Sequence, residues 1–556
     1  MSTDDRLQRL ADQTSLGEDR ESLPLGLTLV SGAIAAVVLS PVLWLFVQGF
    51  DVTAQLSLTP FVVEFDANVF GALGELLQAS TLDVLLNSLL LVIAVTAGSL
   101  VIGVPLAVLT VQTDLPFRRF WTVVCALPLV VPSYIGAFAF VSAFGPRGVL
   151  ADLLEPLGIA EIPVIYGFEG AALVLTLFTY PYVFLTTRAS LLSFDATQFE
   201  AARTLGHSPL AAFRRVTLPQ ILPGVTAGAL LVALYALSDF GTPAIMHYDA
   251  FTRVIFVEYN TFARDFAALL SIQLLLVTVV ILAIESQVGG GDTSAYVTRG
   301  QGRSDRVGLG WLKLPATLFC AAVAFLCLVV PMGVLVMWLF RSAPGYGAVG
   351  FEFEWVYGFN SVYVSVLAAL AAVVLAVPVA YLSARTDSAI TTVIDRATYV
   401  GYAAPGVVLG LALVFFGANF APSLYQTLPL LVFAYVVRFL PQAVGTVRSS
   451  VLQVDPKLTE AARTLGHSPR TAFRKVTLPL IAPGVAAGAA LVFLTTMKEL
   501  PATLLLHPTG FDTLVTYIWL VQGAGYYGRA AVPALVLVGI SALSMVVILA
   551  RERYNG

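Results

Sequence analysis

A stretch of 25 residues occurs twice in this chain. EAARTLGHSPLAAFRRVTLPQILPG runs from Glu200 to Gly224 and EAARTLGHSPRTAFRKVTLPLIAPG from Glu460 to Gly484, with about 20 of the 25 positions identical at a constant offset of 260. Each copy is the only long, polar, basic segment in its half of a very apolar protein. So strong a duplication confines the chain to folds with two equivalent halves, and in membrane proteins such halves surround a common pathway. It also poses a question, because the most similar parts of the two halves are polar loops.

The surroundings of the two copies fix the class. Of 556 residues, 58% are hydrophobic and 12% charged, against about 25% charged in an ordinary soluble chain. Apolar runs lie near 27–50, 85–111, 120–144, 171–191, 222–246 and 266–284, then near 315–340, 361–383, 397–417, 427–447, 482–506 and 530–550. Each is close to the ~20 residues that cross ~30 Å of hydrocarbon. The pattern predicts an all-α integral membrane protein with twelve transmembrane helices in two homologous six-helix halves, 27–286 and 314–556. A cytosolic tail over 1–26 precedes them, and a Gly-, Ser-, Arg- and Asp-rich cytosolic linker over 287–313 joins them. Asp51 to Asp83, with Glu64, Asp66 and Glu75, reads as a polar outer segment.

Charge sets the orientation. With the N-terminus inside, about 23 of the 30 Lys and Arg residues fall in cytosolic segments and about 5 outside, so both copies of the repeat face the cytosol and both termini are cytosolic. A net charge of −4 does not suit a nucleic-acid partner. Cys125, Cys320 and Cys327 lie inside apolar runs without ligand spacing and read as packing residues; neither a disulfide framework, nor a zinc site, nor any cofactor is expected.

The duplication extends beyond the loops. Asn87, Ser88 and Pro105 correspond to Asn360, Ser361 and Pro378 at an offset of 273 rather than 260, which places about 13 extra residues in the outer loop around Gly145 to Phe168. Pro181 pairs with Pro441 and Arg188 with Arg448 at 260. Prolines within spans serve as fixed kinks or as hinges.

Local chemistry gives each copy a shape. Glu200 to Leu205 favours helix, Gly206 supplies a left-handed stop, and Ser208-Pro209 reads as an N-cap and first-turn proline. A short helix from Pro209 to about Val216 carries Phe213, and Pro219 and Pro223-Gly224 mark re-entry into an apolar span. The second copy repeats this with Asp455-Pro456 as a helix start, Gly466 as the break, Ser468-Pro469 as the restart, and Pro479 and Pro483-Gly484 at re-entry.

E-A-A-x-x-x-G followed by this hydrophobic-Pro run resembles the EAA loop of permease subunits of bacterial-type ATP-binding-cassette (ABC) importers. Two such loops in one chain resemble the fused permeases of the ferric iron and thiamine importers, and the resemblance covers nearly the whole chain. It implies a type I ABC importer permease fold in the cell membrane, with no covalent chemistry of its own. The family's coupling residues map onto Glu200, Ala201, Ala202, Gly206, Pro209 and Phe213, and onto Glu460, Ala461, Ala462, Gly466, Pro469 and Phe473. It implies two copies of a cytosolic ABC ATPase subunit and an extracytoplasmic substrate-binding protein as partners. The sequence itself carries no G-x-x-x-x-G-K-[ST] phosphate loop, so ATP hydrolysis is expected on a separate subunit. LSDFGTPAIM from Leu237 and MKELPATLLLHPTGFDTLVT from Met497 resemble the ferric iron permeases more closely than the thiamine ones.

Those two segments also contain charge in apolar surroundings: Asp239 in the first half and, around its counterpart, Lys498 and Glu499 in the second. A charge at membrane depth costs about 2.5–3.5 kcal/mol on insertion scales, so it faces a partner or a wet cavity. Helix length from Gly224 places them toward the outer mouth, where Gly241, Pro243 and Pro501 break the helices. Two readings follow: an Asp239–Lys498 salt bridge closing the halves together, or a pathway or gate lined by Asp239, Lys498 and Glu499. Arg438 is a further intramembrane charge, read as reaching a helix end or pairing with a carboxylate. His247 and His507 pair at the repeat offset, but two histidines are a poor set for a hard ferric ion, and they read as surface or interface residues. The competing class, an ion-coupled secondary transporter, would place coupling carboxylates near the midplane, where no strong candidate stands.

Overall fold

Inside a bilayer every backbone N–H and C=O must be satisfied within the protein, which leaves helices as the form for these apolar runs. The computed structural model describes residues 24–50, 53–58, 61–66, 78–144, 165–193, 204–289, 307–340 and 352–554, together with 74, 76, 198, 201 and 202. Most of the expected N-terminal tail, Glu75, the inserted outer-loop residues 145–164, Glu200 and residues 290–306 of the expected linker lie outside the described residues.

The first half runs through α1 (Leu25–Gly49), a hairpin of β1 (Thr53–Leu58) and β2 (Phe61–Asp66), α2 (Ala79–Gln112), α3 (Arg118–Ala126), α4 (Ser133–Phe144) and α5 (Gly167–Ser193). It continues with α6 (Pro209–Ala212), α7 (Leu218–Ser238), α8 (Gly241–Ile245), α9 (Phe251–Asn260) and α10 (Arg264–Gly289). The second half holds α11 (Lys313–Ala324), α12 (Val330–Phe340), α13 (Trp355–Arg385), α14 (Ala389–Ala403), α15 (Gly406–Phe420), α16 (Leu428–Gln453) and α17 (Pro456–Thr464). It ends with α18 (Pro469–Ala472), α19 (Leu478–Met497), α20 (Pro501–Leu506), α21 (Leu514–Gly523) and α22 (Tyr527–Tyr554). The hairpin, with Thr53 opposite Asp66, lies in the segment expected only to be polar and external.

Among the described residues, ten helical stretches are long and apolar enough to span a membrane, and up to twelve when two broken stretches each count as one. The broken ones are the expected third and ninth spans. The chain turns by 92° between the stretch ending at Val130 and α4, and it leaves the helix again between α14 and α15. Pro132 and Pro405, counterparts at the 273 offset, stand at these breaks, where a proline bars the preceding residue from helical conformation. The prolines Pro105, Pro181, Pro378 and Pro441 lie inside helices that run on.

Small residues bring helices together. A Cβ on Gly224 would collide with Ser190 of α5 and one on Gly228 with Thr186; Gly484 and Gly488 stand in the same relation to Ser450 and Thr446 of α16. These G-x-x-x-G faces allow the backbone approach that membrane helices use in place of hydrophobic burial. The three cysteines are fully buried.

By internal contacts the chain forms two compact units that interleave the sequence halves. One contains the described residues up to Ser40, Ala369–Tyr402 and Phe439–Val492; Ala35, Leu382 and Ile394 form a core within it. The other contains Pro41–Ala368, Ala403–Arg438 and Phe493–Gly556.

Candidate functional site

The second copy of the repeated loop, in the smaller unit, begins where Asp455 caps α17 by accepting the Lys457 N–H at 2.9 Å. The helix stops at Gly466 with φ +89°, and the chain reverses through paired bonds: Gly466 N–H to Arg463 O at 3.0 Å and His467 N–H to Ala462 O at 3.1 Å. This is the Schellman arrangement, in which a left-handed residue lets the last carbonyls find donors. In the first copy Gly206 has φ +85° and His207 N–H reaches Ala202 O at 3.2 Å. No atom crowds either glycine, so backbone conformation alone requires it. Ser208 and Ser468 then accept the backbone N–H three residues on, starting α6 and α18.

The restart does not end at the expected prolines. Phe213–Thr217 and Phe473–Thr477 form π turns that lead directly into α7 and α19. In each the N–H closing the wide turn, from Leu218 or Leu478, bonds the phenylalanine carbonyl five residues back. The next residue is Pro219 or Pro479, which has no N–H to give. The widened turn therefore absorbs the proline, and the predicted short helix is the first part of a longer one.

Within the motif, Ala202 and Ala462 are buried, Ala201, Ala461 and Glu460 are exposed, and Phe213 and Phe473 are half-buried. Ala202 packs with Ala212 and Phe213. Phe473 meets Tyr381 edge-on at 5.2 Å between ring centroids. Beside each glycine stands a leucine the sequence reading did not single out: Leu205 is 80% exposed and Leu465 82%. These are apolar residues exposed at the same point of both loops. Their signal was their invariance between copies without an apolar period to explain it.

Asp239, Lys498 and Glu499 lie in the larger unit, in the joints that separate α7 from α8 and α19 from α20. These helices end at Ser238 and Met497, short of the expected 246 and 506. Each carboxylate accepts an N–H in the first turn of the following short helix: Thr242 to Asp239 Oδ2 at 2.9 Å, Ala502 to Glu499 Oε1 at 3.4 Å. Each also meets the residue after a proline break. Ser133 donates to Asp239 Oδ1 at 2.5 Å and receives the Tyr235 hydroxyl at 3.2 Å. At the counterpart of Ser133 stands Gly406, where a Cβ would collide with Glu499 Oε1.

The expected Asp239–Lys498 bridge is not formed. Lys498 Nζ instead donates to the Leu129 carbonyl at 3.1 Å, and Glu499 pairs with Arg438 at 3.1 Å. Arg438 also donates to the Ala404 carbonyl at 3.0 Å. The physical reason is the pair of proline breaks: carbonyls beside a broken helix have lost their helical donors, and two cations from the second half supply them. With side chains 15% and 7% exposed, Arg438 and Glu499 are a buried ion pair, as one reading of Arg438 anticipated. His247 stacks on Tyr166 at 5.1 Å, and His507 Nδ1 lies 3.0 Å from the Thr503 carbonyl. Among the described residues no three His, Cys, Asp or Glu side chains converge as a metal site.

A profile of the family described as binding-protein-dependent transport system inner membrane component matches this chain twice, over residues 99–342 and 372–553. The chain is 34% identical over 465 residues to the Fe(3+)-transport system permease protein FbpB 2 of Haemophilus influenzae, covering 83% of this chain and 88% of that one. It is 27% identical to the probable ABC transporter permease protein y4fN of Sinorhizobium fredii, over 97% of both chains. The molybdenum transport system permease protein ModB of Mycobacterium bovis matches 36% of this chain and 76% of its own at 32% identity, a match about one repeat long. Two successive matches, one on each side of an internal duplication, make the chain a member of the binding-protein-dependent inner membrane permeases, with two permease domains fused in one polypeptide of the ferric-iron type.

Proposed function

We propose that this chain is the translocation subunit of an ATP-driven importer and that its two EAA loops each dock one cytosolic ATPase subunit. The observation that carries this reading is the twinned loop: one left-handed glycine turn, one serine-capped restart and one exposed leucine, repeated in both halves. Glu200 and Glu460 anchor the docking surface, Gly206 and Gly466 set the turn, and the segments beginning at Pro209 and Pro469 fill the ATPase cleft. Hydrolysis belongs to the separate subunits, and an extracytoplasmic binding protein delivers the cargo. Asp239, Lys498 and Glu499 line the pathway or its gate, a role supported by their place in the joints between helices.

The cargo we propose is ferric iron, supported by the Fe(3+) transport for which the Haemophilus influenzae relative is named and by the segments after Leu237 and Met497. Uptake of radiolabelled ferric iron, in cells lacking this permease and again with it restored, tests the proposal, with labelled thiamine in parallel. Restoration of iron uptake alone is expected. Restoration of thiamine uptake instead overturns the cargo, and uptake that persists without the ATPase but stops when ion gradients are collapsed overturns the importer.

A further inference from the structure

The two coupling loops are the most alike parts of the halves, yet their supports differ. In the second half the support is internal. Tyr381 of α13 stands edge-on against Phe473. One turn further along the same helix, Arg385 donates to the carbonyls of Val451 at 3.3 Å and Val454 at 2.8 Å, where α16 ends ahead of the loop. A cation on the last carbonyls of a helix satisfies groups that have no helical donor.

The first half has neither residue. At the offset of 273, Tyr381 corresponds to Val108 and Arg385 to Gln112. The end of the linker packs there instead. Val307 packs, alongside Phe213 and Val216, against the buried Ala202 and Ala212 of the first loop. Its backbone joins the end of α2 as a parallel bridge to Thr113, with Val307 N–H to Gln112 O at 3.0 Å and Asp114 N–H to Val307 O at 3.3 Å. Asp114 fixes the rest: it accepts the Leu309 N–H at 2.8 Å and pairs with Lys313, the first residue of α11, at 2.7 Å. Lys313 first, then the Leu309 N–H, hold the Asp114 carboxyl below the ordinary carboxylate range. Trp311, 84% exposed beside the start of a span, suits the membrane interface.

We infer that residues 307–313 are a working part of the first coupling element rather than a tether. Val307 positions the first EAA loop through the Ala202 and Ala212 core that it shares with Phe213, as Tyr381 supports Phe473 in the second half. This rests on the reading of the EAA loops as ATPase docking sites. It also assigns the fused chain an asymmetry, in which one loop is buttressed by its own half and the other by the segment that joins the halves.

The test uses the full permease with its ATPase subunits in vesicles, reading ATP-driven uptake per ATP hydrolysed alongside permease thermal stability. Val307→Asp is expected to lower uptake per ATP by about fivefold or more, the scale of a coupling interaction. Val307→Ile is expected to retain coupling. Val307→Ala is expected to lose part of it, and to regain that part when combined with Val108→Tyr, which copies the second half's support. The Ala variant carries the test if the Asp variant fails to reach the membrane. Full coupling in both Val307→Asp and Val307→Ala overturns the inference, as does a loss explained wholly by lower thermal stability. A permease with Gly206→Pro and Gly466→Pro runs in parallel: if it still couples, the docking reading itself has failed; if it does not couple while the Val307 variants do, only the role of the linker segment falls.

Discussion

Asp239 and Glu499 occupy matching positions with different partners, and that difference decides what each substitution does. Glu499 pairs with a buried guanidinium, so Glu499→Gln removes the carboxylate charge from the Arg438 pair. Breaking a buried pair from one side costs about 3–5 kcal/mol, and the expected result is a permease that melts earlier and accumulates poorly. Asp239 accepts one hydroxyl and one backbone N–H and, among the described residues, forms no ion pair. Asp239→Asn keeps one acceptor and exchanges a hydrogen bond worth about 1 kcal/mol, so the protein is expected to stay folded while iron uptake falls. Thermal stability and uptake measured together separate the two roles, and an Asp239→Asn permease with full uptake removes Asp239 from the pathway. Hydropathy alone was enough to mark both carboxylates, because charge in an apolar run is visible in one dimension. The particular partners were not legible: Ser133 for Asp239 and the Leu129 carbonyl for Lys498 are distant in sequence and stand beside the break at Pro132.

Elements show the same division between local and distant causes. The left-handed stops at Gly206 and Gly466, the serine caps and the start of α17 at Asp455 follow from chemistry within a few residues, and all were readable. The continuation through Pro219 and Pro479 was not, because a proline signals a break unless the preceding turn has widened. Nor were the broken third and ninth spans, since a hydropathy window registers composition and not direction. The turns carry a prediction of their own. Proline holds φ near −65°, whereas the two glycines have φ of +85° and +89°, so Gly206→Pro with Gly466→Pro cannot form the reversal. Both glycines are exposed and lie outside the spans, so the double variant is expected to reach the membrane at normal levels. ATP-coupled uptake is expected to be abolished, and retained transport would refute the assignment of these turns to coupling.

At the scale of the whole molecule, function depends on which side of the membrane the loops face. An ATPase can engage Leu205 and Leu465 only from the cytosol. The asymmetry of Lys and Arg argues for that orientation, and the protein itself provides a clean way to test it. Its three cysteines are completely buried, so a membrane-impermeant maleimide should find little background in the unmodified chain. Leu465→Cys places a thiol on the second loop, and Thr509→Cys places one on the exposed turn after α20, at the opposite end of α19. Between them lie Leu478–Met497 and the π turn before it, a helical run of about 1.5 Å per residue that is long enough to cross the hydrocarbon. The two thiols should therefore never be labelled from the same side. In intact cells the Thr509→Cys protein is expected to react and the Leu465→Cys protein to stay silent until the membrane is permeabilised. The reverse pattern would put both EAA loops outside, beyond the reach of any ATP-consuming partner, and the importer reading could not survive it. Labelling of both in intact cells would mean that the eleventh span does not cross, and with it the twelve-span arrangement would fail.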